Sequence, residues 1–226
     1  MSFDVVMPYR PDGGQRDRIF AWTKDWWEYY LDEPVYSSDS DGEVFNRSQA
    51  RNRAAAQGDG EVIIFVDADT VLGHHESINT GAWAVYKKQC PWVIPYKTYF
   101  NLSQEYTETA LDEDPMWFKG RHHRDFSYEH ELVSWAGVLM VRREDFEKVG
   151  GYDERFVGWG HEDVAFRIKL DVEIGGHVRT PGEAFHLWHP IDPGQTFGSS
   201  DELRNRRLFN RDYKLKYGWK DERINR

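Results

Sequence analysis

Three short clusters of acidic and imidazole residues in this chain could do chemistry. The first is Asp67 and Asp69, at the end of the stretch EVIIFVDADT. The apolar run before them, residues 62–66, is too short for a membrane span and rich in β-branched side chains, the pattern of a strand buried on both faces. Ligands of open α/β sheets gather just beyond such strand ends. Two carboxylates there make a hard oxygen site for Mg²⁺ or Mn²⁺, with room for phosphates. The pair equally suits an Asp-rich turn in which Asp69 caps the next helix. The second cluster is Glu162 and Asp163, behind Gly158-Trp159-Gly160. A glycine–tryptophan–glycine turn would hold these carboxylates beside an aromatic wall, a way to set a general base next to a sugar-binding surface. In the first turn of a helix they also oppose its dipole, worth about 0.3–1 kcal/mol each. The third is His186 and His189 in GEAFHLWHP. A neutral imidazole can complete the coordination of an ion held by a carboxylate, and Mn²⁺ tolerates nitrogen better than Mg²⁺. A hydrogen-bonded pair of core histidines is the alternative.

The elements that would position these groups follow from apolar periodicity. Residues 3–7 form a strand whose end carries Pro8, Tyr9 and Arg10. Residues 16–30 form a helix with Ile19, Trp22, Trp26 and Tyr30 on one stripe, and 34–39 a short strand ending at Asp39. The alanine-rich segment 46–57 is a helix stopped by Gly58 and Gly60, and the buried strand with its carboxylates comes next. Strand, helix, strand, helix, strand predicts a right-handed βαβ sheet. A helix over 77–89 and a strand over 92–95 continue the series. Residues 96–131 show no clear period and read as a long irregular region with one short helix at 103–111. Its His122, His123 and His130 fit no metal-binding spacing and read as solvated loop histidines. A strand over 132–142 carries Gly137 in its middle, marking a bulge or a close approach of ligand or backbone. Helices over 144–149 and from Glu162 to about Leu170 follow, with the segment before Pro190 read as a strand end or turn. Residues 194–200 are a glycine- and serine-bearing loop, a candidate lid. The final segment, 201–217, is a basic amphipathic helix with Leu203, Leu208, Tyr213 and Leu215 as its contacts.

Composition bounds the rest. A chain of 226 residues fits one α/β domain with a real core. Aromatic residues make up 15%, with ten Trp, which suits either flat, sugar-like ligands or core packing. The net charge of −10 weighs against nucleic-acid or anionic-membrane partners, though not against an anionic nucleotide held through a metal ion. The single cysteine, Cys90, excludes an intrachain disulfide and a cysteine-based zinc site, which suits a reducing compartment. With no signal peptide at its start and no apolar run of membrane length, the chain is expected to be soluble and cytoplasmic.

Four segments, RSQARNRAAAQGDGEVIIFVDADT, WAGVLMVRREDFEKVGGYDERF, GWGHEDVAFRIKL and FHLWHP, together resemble the GT-A nucleotide-sugar glycosyltransferases. The likeness is strongest to the family-2-like enzymes and to the galactosyl- and N-acetylgalactosaminyltransferases, and it spans residues 47–190 in the family's order. An Asp-x-Asp pair alone is weak; followed by WGxED and a histidine motif it is specific. The resemblance implies an α/β fold of GT-A (Rossmann-like) type, a mostly parallel central sheet flanked by helices in a single domain over 1–226. Residues 1–95 would form the nucleotide-binding half, 96–190 the acceptor and catalytic half, and 191–226 a flexible loop and C-terminal helix. It implies an inverting, metal-dependent transfer of a hexose or N-acetylhexosamine from a UDP-sugar to an acceptor hydroxyl, with Mn²⁺ or Mg²⁺. Asp163 would be the catalytic base. Asp69 and His189, with His186 assisting or orienting, would hold the metal. Asp67 would face the ribose and metal, while Pro8, Tyr9, Arg10, Asp39 and Arg51 would contact the nucleotide. Gly137, Trp159 and Glu162 would line the donor-sugar and acceptor side.

The sequence departs from the galactosyltransferases at His161, where they carry a second glycine, and at Val164, where they often carry a third acid. A small soluble microbial or viral enzyme, without the membrane anchor and lectin domain of the Golgi enzymes, is the expectation. The acceptor class stays open among a glycan, a protein, a lipid-linked sugar and a modified base. Two rival readings keep part of the pattern: a sugar-phosphate nucleotidyltransferase using the same crevice, which leaves the WGHED helix idle, and a non-catalytic carbohydrate- or nucleotide-binding module.

Overall fold

The computed structural model describes residues 2–73, 75–114, 118, 124, 128–132, 137–192 and 194–218. His122, His123 and the side chain of His130 lie outside the described residues. The chain opens β1 (Phe3–Pro8), α1 (Gln15–Leu31), β2 (Val35–Ser38), α2 (Arg47–Ala55), β3 (Val62–Val66), the expected alternation within a residue or two of the expected bounds. Then come β4 (Thr70–Leu72), α3 (His75–Tyr86), β5 (Trp92–Ile94), β6 (Thr98–Leu102), α4 (Gln104–Asp112), β7 (Tyr128–Leu132) and β8 (Val138–Arg142). The remainder is α5 (Arg143–Lys148), α6 (Glu162–Glu173), β9 (Val178–Arg179), β10 (Glu183–His186) and α7 (Ser200–Phe209), which runs on into a π-helical turn, Asn210–Lys214.

The main sheet has the order β2-β1-β3-β8-β5-β9. It is mostly parallel: β8 pairs antiparallel with both β3 and β5, while the other pairings are parallel. Its middle strands are apolar on both faces, as a covered sheet requires. Val62 to Val66 and Val138 to Val141 are all buried. Trp26 and Trp27 of α1 are completely enclosed, and Ile78, Ala82 and Val85 of α3 join the same core.

A second sheet, β4-β10-β6-β7, departs from the expected irregular region at 96–131. Its strands are short, mix aromatic and polar residues, and find partners far along the chain, so no local period announces them. Gly137 is also not in mid-strand. Its φ of +103° cannot continue a strand, and β8 starts one residue later. Of the contacts expected of the C-terminal segment, Tyr213 is buried and Leu208 packs against the same small cluster, but the other two do not. Leu203 and Leu215 are exposed, whereas Glu202, Asn205, Phe209 and Tyr213 are buried. Its seam is half polar because Asn205 donates to the carbonyls of Val157 and Trp159, which no hydrophobic pattern encodes. Among the described residues no helix is long and apolar enough to cross a membrane.

Gly58 and Gly60 do more than end α2. Asp4 is buried on β1, accepts a hydrogen bond from Gly60 N at 2.9 Å and pairs with Arg143. A Cβ on Gly60 would lie 2.8 Å from the Asp4 carboxylate and 2.9 Å from its backbone nitrogen. Gly60→Ala is therefore expected to cost about 1–3 kcal/mol by overpacking, measured by urea unfolding, whereas Asp59→Ala at the exposed neighbour should be near neutral.

Candidate active site

The turn after β3 is tied to both sheets. Asp67 N donates to Gly137 O at 2.8 Å, and Thr70 N returns to Asp67 O at 3.1 Å. Leu187 N donates to Asp69 O at 2.8 Å, and β4 pairs with β10 so that Thr70 faces His186. Strand pairing thus carries the second histidine cluster to the carboxylates. Asp69 Oδ2 lies 3.5 Å from His186 Nε2 and 3.3 Å from His189 Nε2, and one ligand atom from each of the three falls within 4.8 Å of the others. His189 Nδ1 is 3.0 Å from Pro190 O, so its ring is anchored by the backbone on the side away from Asp69. Burial opposes charge on Asp69, but His186 and His189 outweigh it and hold the carboxyl well below its ordinary range. Burial likewise disfavours the His186 cation, and Asp69 more than compensates, raising its pKa. One carboxylate and two imidazoles converging on one point fit a divalent ion that accepts nitrogen, as Mn²⁺ does.

The acidic helix meets this turn through Arg51. From α2, where Asn46 caps the N-terminus by accepting from Gln49 N, Arg51 reaches Asp67 Oδ1 at 2.6 Å and Asp163 Oδ1 at 2.8 Å. The guanidinium is 3% exposed and lies over the Tyr152 ring, 4.9 Å from its centroid. Burial, reinforced by Glu162 and Asp67, pushes Asp163 up to about 7 although Arg51 pulls the other way. Burial and the Asp69 charge also raise Asp67, against the attraction of Arg51. Glu162 is buried, 3.7 Å from Arg47.

The turn that launches α6 needs left-handed backbone at Gly158, Gly160 and His161, with φ of 75°, 100° and 71°. A side chain at Gly158 would collide with the Asp201 carboxylate. His161 is a non-glycine residue in the conformation that favours glycine. Its Nε2 lies 2.9 Å from Glu202 Oε1, and its ring stacks on Phe209 at 5.3 Å. Glu202, 1% exposed, also accepts from Gly198 N at 3.1 Å. Trp159 of this turn is half-buried, and its carbonyl accepts from Asn205.

At the ends of β1 and β2, Arg10 reaches Asp39 Oδ1 at 2.7 Å, Ser40 O at 2.6 Å and Glu43 O at 3.0 Å. Tyr9 stacks flat on Phe20 at 3.7 Å and its hydroxyl donates to Asp17. Three of the expected residues also make close contacts within the chain. Arg51 places its guanidinium against two carboxylates. The space beside Gly137 is filled by Tyr99, whose ring a Cβ would meet at 2.6 Å. Tyr9 already has partners for both ring and hydroxyl. Sequence reasoning missed Arg16, Arg47 and Gln195. Gln195 Oε1 accepts from Arg47 at 3.1 Å and from Arg16 at 3.4 Å, and Arg16 lies 3.2 Å from His189. Arg47 and Arg51 share one face of α2 at i, i+4, a signal the sequence did carry.

An acid–imidazole cluster beyond the central strand of a mostly parallel sheet, with an acidic helix opposite, is the architecture of the GT-A fold. The chain belongs to the glycosyltransferase-like family 2, whose sequence model matches residues 29–181. It is similar to human chondroitin sulfate N-acetylgalactosaminyltransferase 2, 29% identical over 161 residues, covering 68% of this chain and 28% of that protein. It is also similar to the O-antigen biosynthesis protein RfbC of Myxococcus xanthus, 25% identical over 140 residues, covering 57% and 11%. The chain thus spans less than a third of the length of these curated relatives. In three dimensions it is similar to the catalytic domain of Drosophila β1,4-galactosyltransferase 7 in complex with xylobiose, with a TM-score of 0.56 at 16% identity, covering 94% of this chain and 81% of that one. A structure of GalNAc-T7 with UDP, GalNAc and Mn²⁺ gives a TM-score of 0.59 at 15% identity, covering 96% and 50%.

Because Arg51 neutralises two carboxylates in a buried position, Arg51→Met is expected to cost about 3–5 kcal/mol. Adding Asp163→Asn should recover part of that loss in urea unfolding, since one of the stranded charges is then gone.

Proposed function

We propose that the protein is an inverting, metal-dependent glycosyltransferase that moves a hexose or N-acetylhexosamine from a UDP-sugar to an acceptor hydroxyl. The observation that carries this reading is the convergence of Asp69, His186 and His189 in the same crevice as Asp163, with Arg51 joining the two sides. Family membership and the UDP- and Mn²⁺-bound structure of GalNAc-T7 support it. So does the Drosophila galactosyltransferase 7 structure with manganese, UDP-Gal and xylobiose.

Asp69, His189 and His186 would hold the ion, Mn²⁺ or Mg²⁺, and Asp67 would face the ribose beside it. When bound, the ion stabilises the charge that develops on the departing diphosphate. Pro8, Tyr9, Arg10 and Asp39 would form the rim for the uracil and ribose. Arg51 is a strut in this reading, setting Asp67 and Asp163 at a fixed separation. Asp163, as carboxylate, takes the proton of the acceptor hydroxyl. The acceptor oxygen then forms a bond to the anomeric carbon as the bond to UDP breaks, and the electron pair leaves with UDP. Trp159, Glu162 and Gly137 would border the sugars. Residues 1–95 would thus carry the nucleotide side, 96–190 the acceptor and catalytic side, and 191–226 the loop and helix that close on it.

The test is UDP release from a panel of UDP-sugars with Mn²⁺, Mg²⁺ or EDTA. One sugar is expected to give metal-dependent UDP. The reading is sunk if neither UDP release nor Mn²⁺-dependent UDP binding is seen across the panel. Asp163→Asn should lower transfer by about 10²–10⁴-fold while UDP binding, followed by calorimetry, stays intact. Asp163 works as the deprotonated form and its pKa is pushed up to about 7. The rate at limiting substrate should therefore fall tenfold per unit below pH 7 and level off above it.

A further inference from the structure

Asp69 has two carboxylate oxygens, and the histidines account for only one of them. Oδ2 faces His186 and His189. Oδ1 accepts a hydrogen bond from Thr70 Oγ1 at 3.2 Å, and the same hydroxyl lies 2.9 Å from Tyr99 Oη. An ionised carboxylate only accepts, so the single Thr70 proton points at Asp69, and Thr70 must accept from Tyr99. The chain therefore has one direction, Tyr99 to Thr70 to Asp69. Both donors are out of solvent, Thr70 at 0% and Tyr99 at 6% exposure, so water does not compete for the bonds.

We propose that Thr70 and Tyr99 are positioning residues for the metal site, a hydroxyl chain that fixes the plane of the Asp69 carboxylate so that Oδ2 faces the two imidazoles. This rests on the metal-binding reading of Asp69, His186 and His189. Ligating carboxylates are commonly oriented by such outer hydrogen bonds, whose loss costs about 10–100-fold in metal affinity.

The surroundings hold the chain in place. Thr70 sits opposite His186 in the β4–β10 pairing, and its carbonyl accepts from Trp27 Nε1 at 2.9 Å. The Tyr99 ring stands 6.0 Å from the His186 ring and 5.7 Å from the Tyr96 ring. On its other side is Gly137, where any side chain would displace it. Gly137 O in turn accepts from Asp67 N, so one glycine seats the hydroxyl chain and anchors the first carboxylate.

The experiment is titration of Mn²⁺ into the full chain in the presence of UDP, followed by the electron paramagnetic resonance signal of the free ion. Thr70→Val, matched in shape but without the hydroxyl, is expected to weaken Mn²⁺ binding about tenfold, and Tyr99→Phe by a smaller factor. Thr70→Ser keeps the donor and should bind within about twofold of wild type, a rescue that a packing role would not give. Tyr99→Phe added to Thr70→Val should weaken binding no further, because the chain is already cut. Asp69→Asn provides the unbound reference, and circular dichroism checks that each variant folds. If Thr70→Val and Tyr99→Phe both bind like wild type while Asp69→Asn does not bind, the positioning role is overturned and the metal site stands. The role is equally overturned if Thr70→Ser is weak and Thr70→Val is not, since packing then decides. Wild type binding no better than Asp69→Asn overturns the metal site and the positioning role together.

Discussion

The site depends on one buried cation. Arg51 comes from a helix, takes an oxygen of Asp67 at the end of the central strand, and takes an oxygen of Asp163 from a second helix. Without it, Asp67 and Asp163 would lose the guanidinium they share, while Asp69 keeps its histidines and Glu162 its contact with Arg47. With it, two of those carboxylates are paired through one oxygen each. Its 3% exposure means that these bonds form away from water, where they are strongest and where leaving either partner alone costs most. The flat face of Tyr152 supports the guanidinium, and Tyr152 stacks at 3.8 Å on Phe166 of the same helix that carries Asp163.

A second brace acts from the outside. Glu202 accepts from the loop at Gly198 and meets the His161 imidazole in the turn before Glu162 and Asp163. That turn uses left-handed backbone at Gly158, Gly160 and His161, the last at a conformational cost. The contacts to Glu202 and Phe209 offset that cost. They also make the acidic turn and the loop ending at Gly198 neighbours of one carboxylate. Farther along the same loop Gln195 bonds Arg16 and Arg47, so the loop touches the histidine side and the acidic side at once.

Much of this was legible beforehand for a local reason. The strands β1 and β3, the helices α1 and α2 and the carboxylates after β3 are written in runs of apolar residues with a single period and clear breakers. Asp67, Asp69, Asp163, His186 and His189 were chosen by residue type and flanking glycine or aromatic residues, and the fold brings them into one crevice. What was not legible has its partners far away. Thr98–Leu102 was passed over because its alternation is imperfect and its pairing to β10 closes over some eighty residues. Glu202 and Asn205 were passed over because a buried polar seam looks like a solvated face until its partners are known.

The sequence by itself determined the fold class, the order of the first five elements, and which side chains have the chemistry for a metal and a base. These follow from backbone sterics, apolar periodicity and the intrinsic acidity of Asp and His, all properties of short segments. Tertiary structure alone decided which of those groups meet, and on what terms. Asp69 faces both histidines because β4 and β10 pair; Asp163 has its raised pKa because burial and two acids outweigh the two arginines, Arg51 and Arg47. Gly137 is a glycine because the Tyr99 ring fills the space its side chain would need. Distances, desolvation and shared hydrogen bonds depend on residues that are remote in sequence, so they come into being only when the two sheets close on each other.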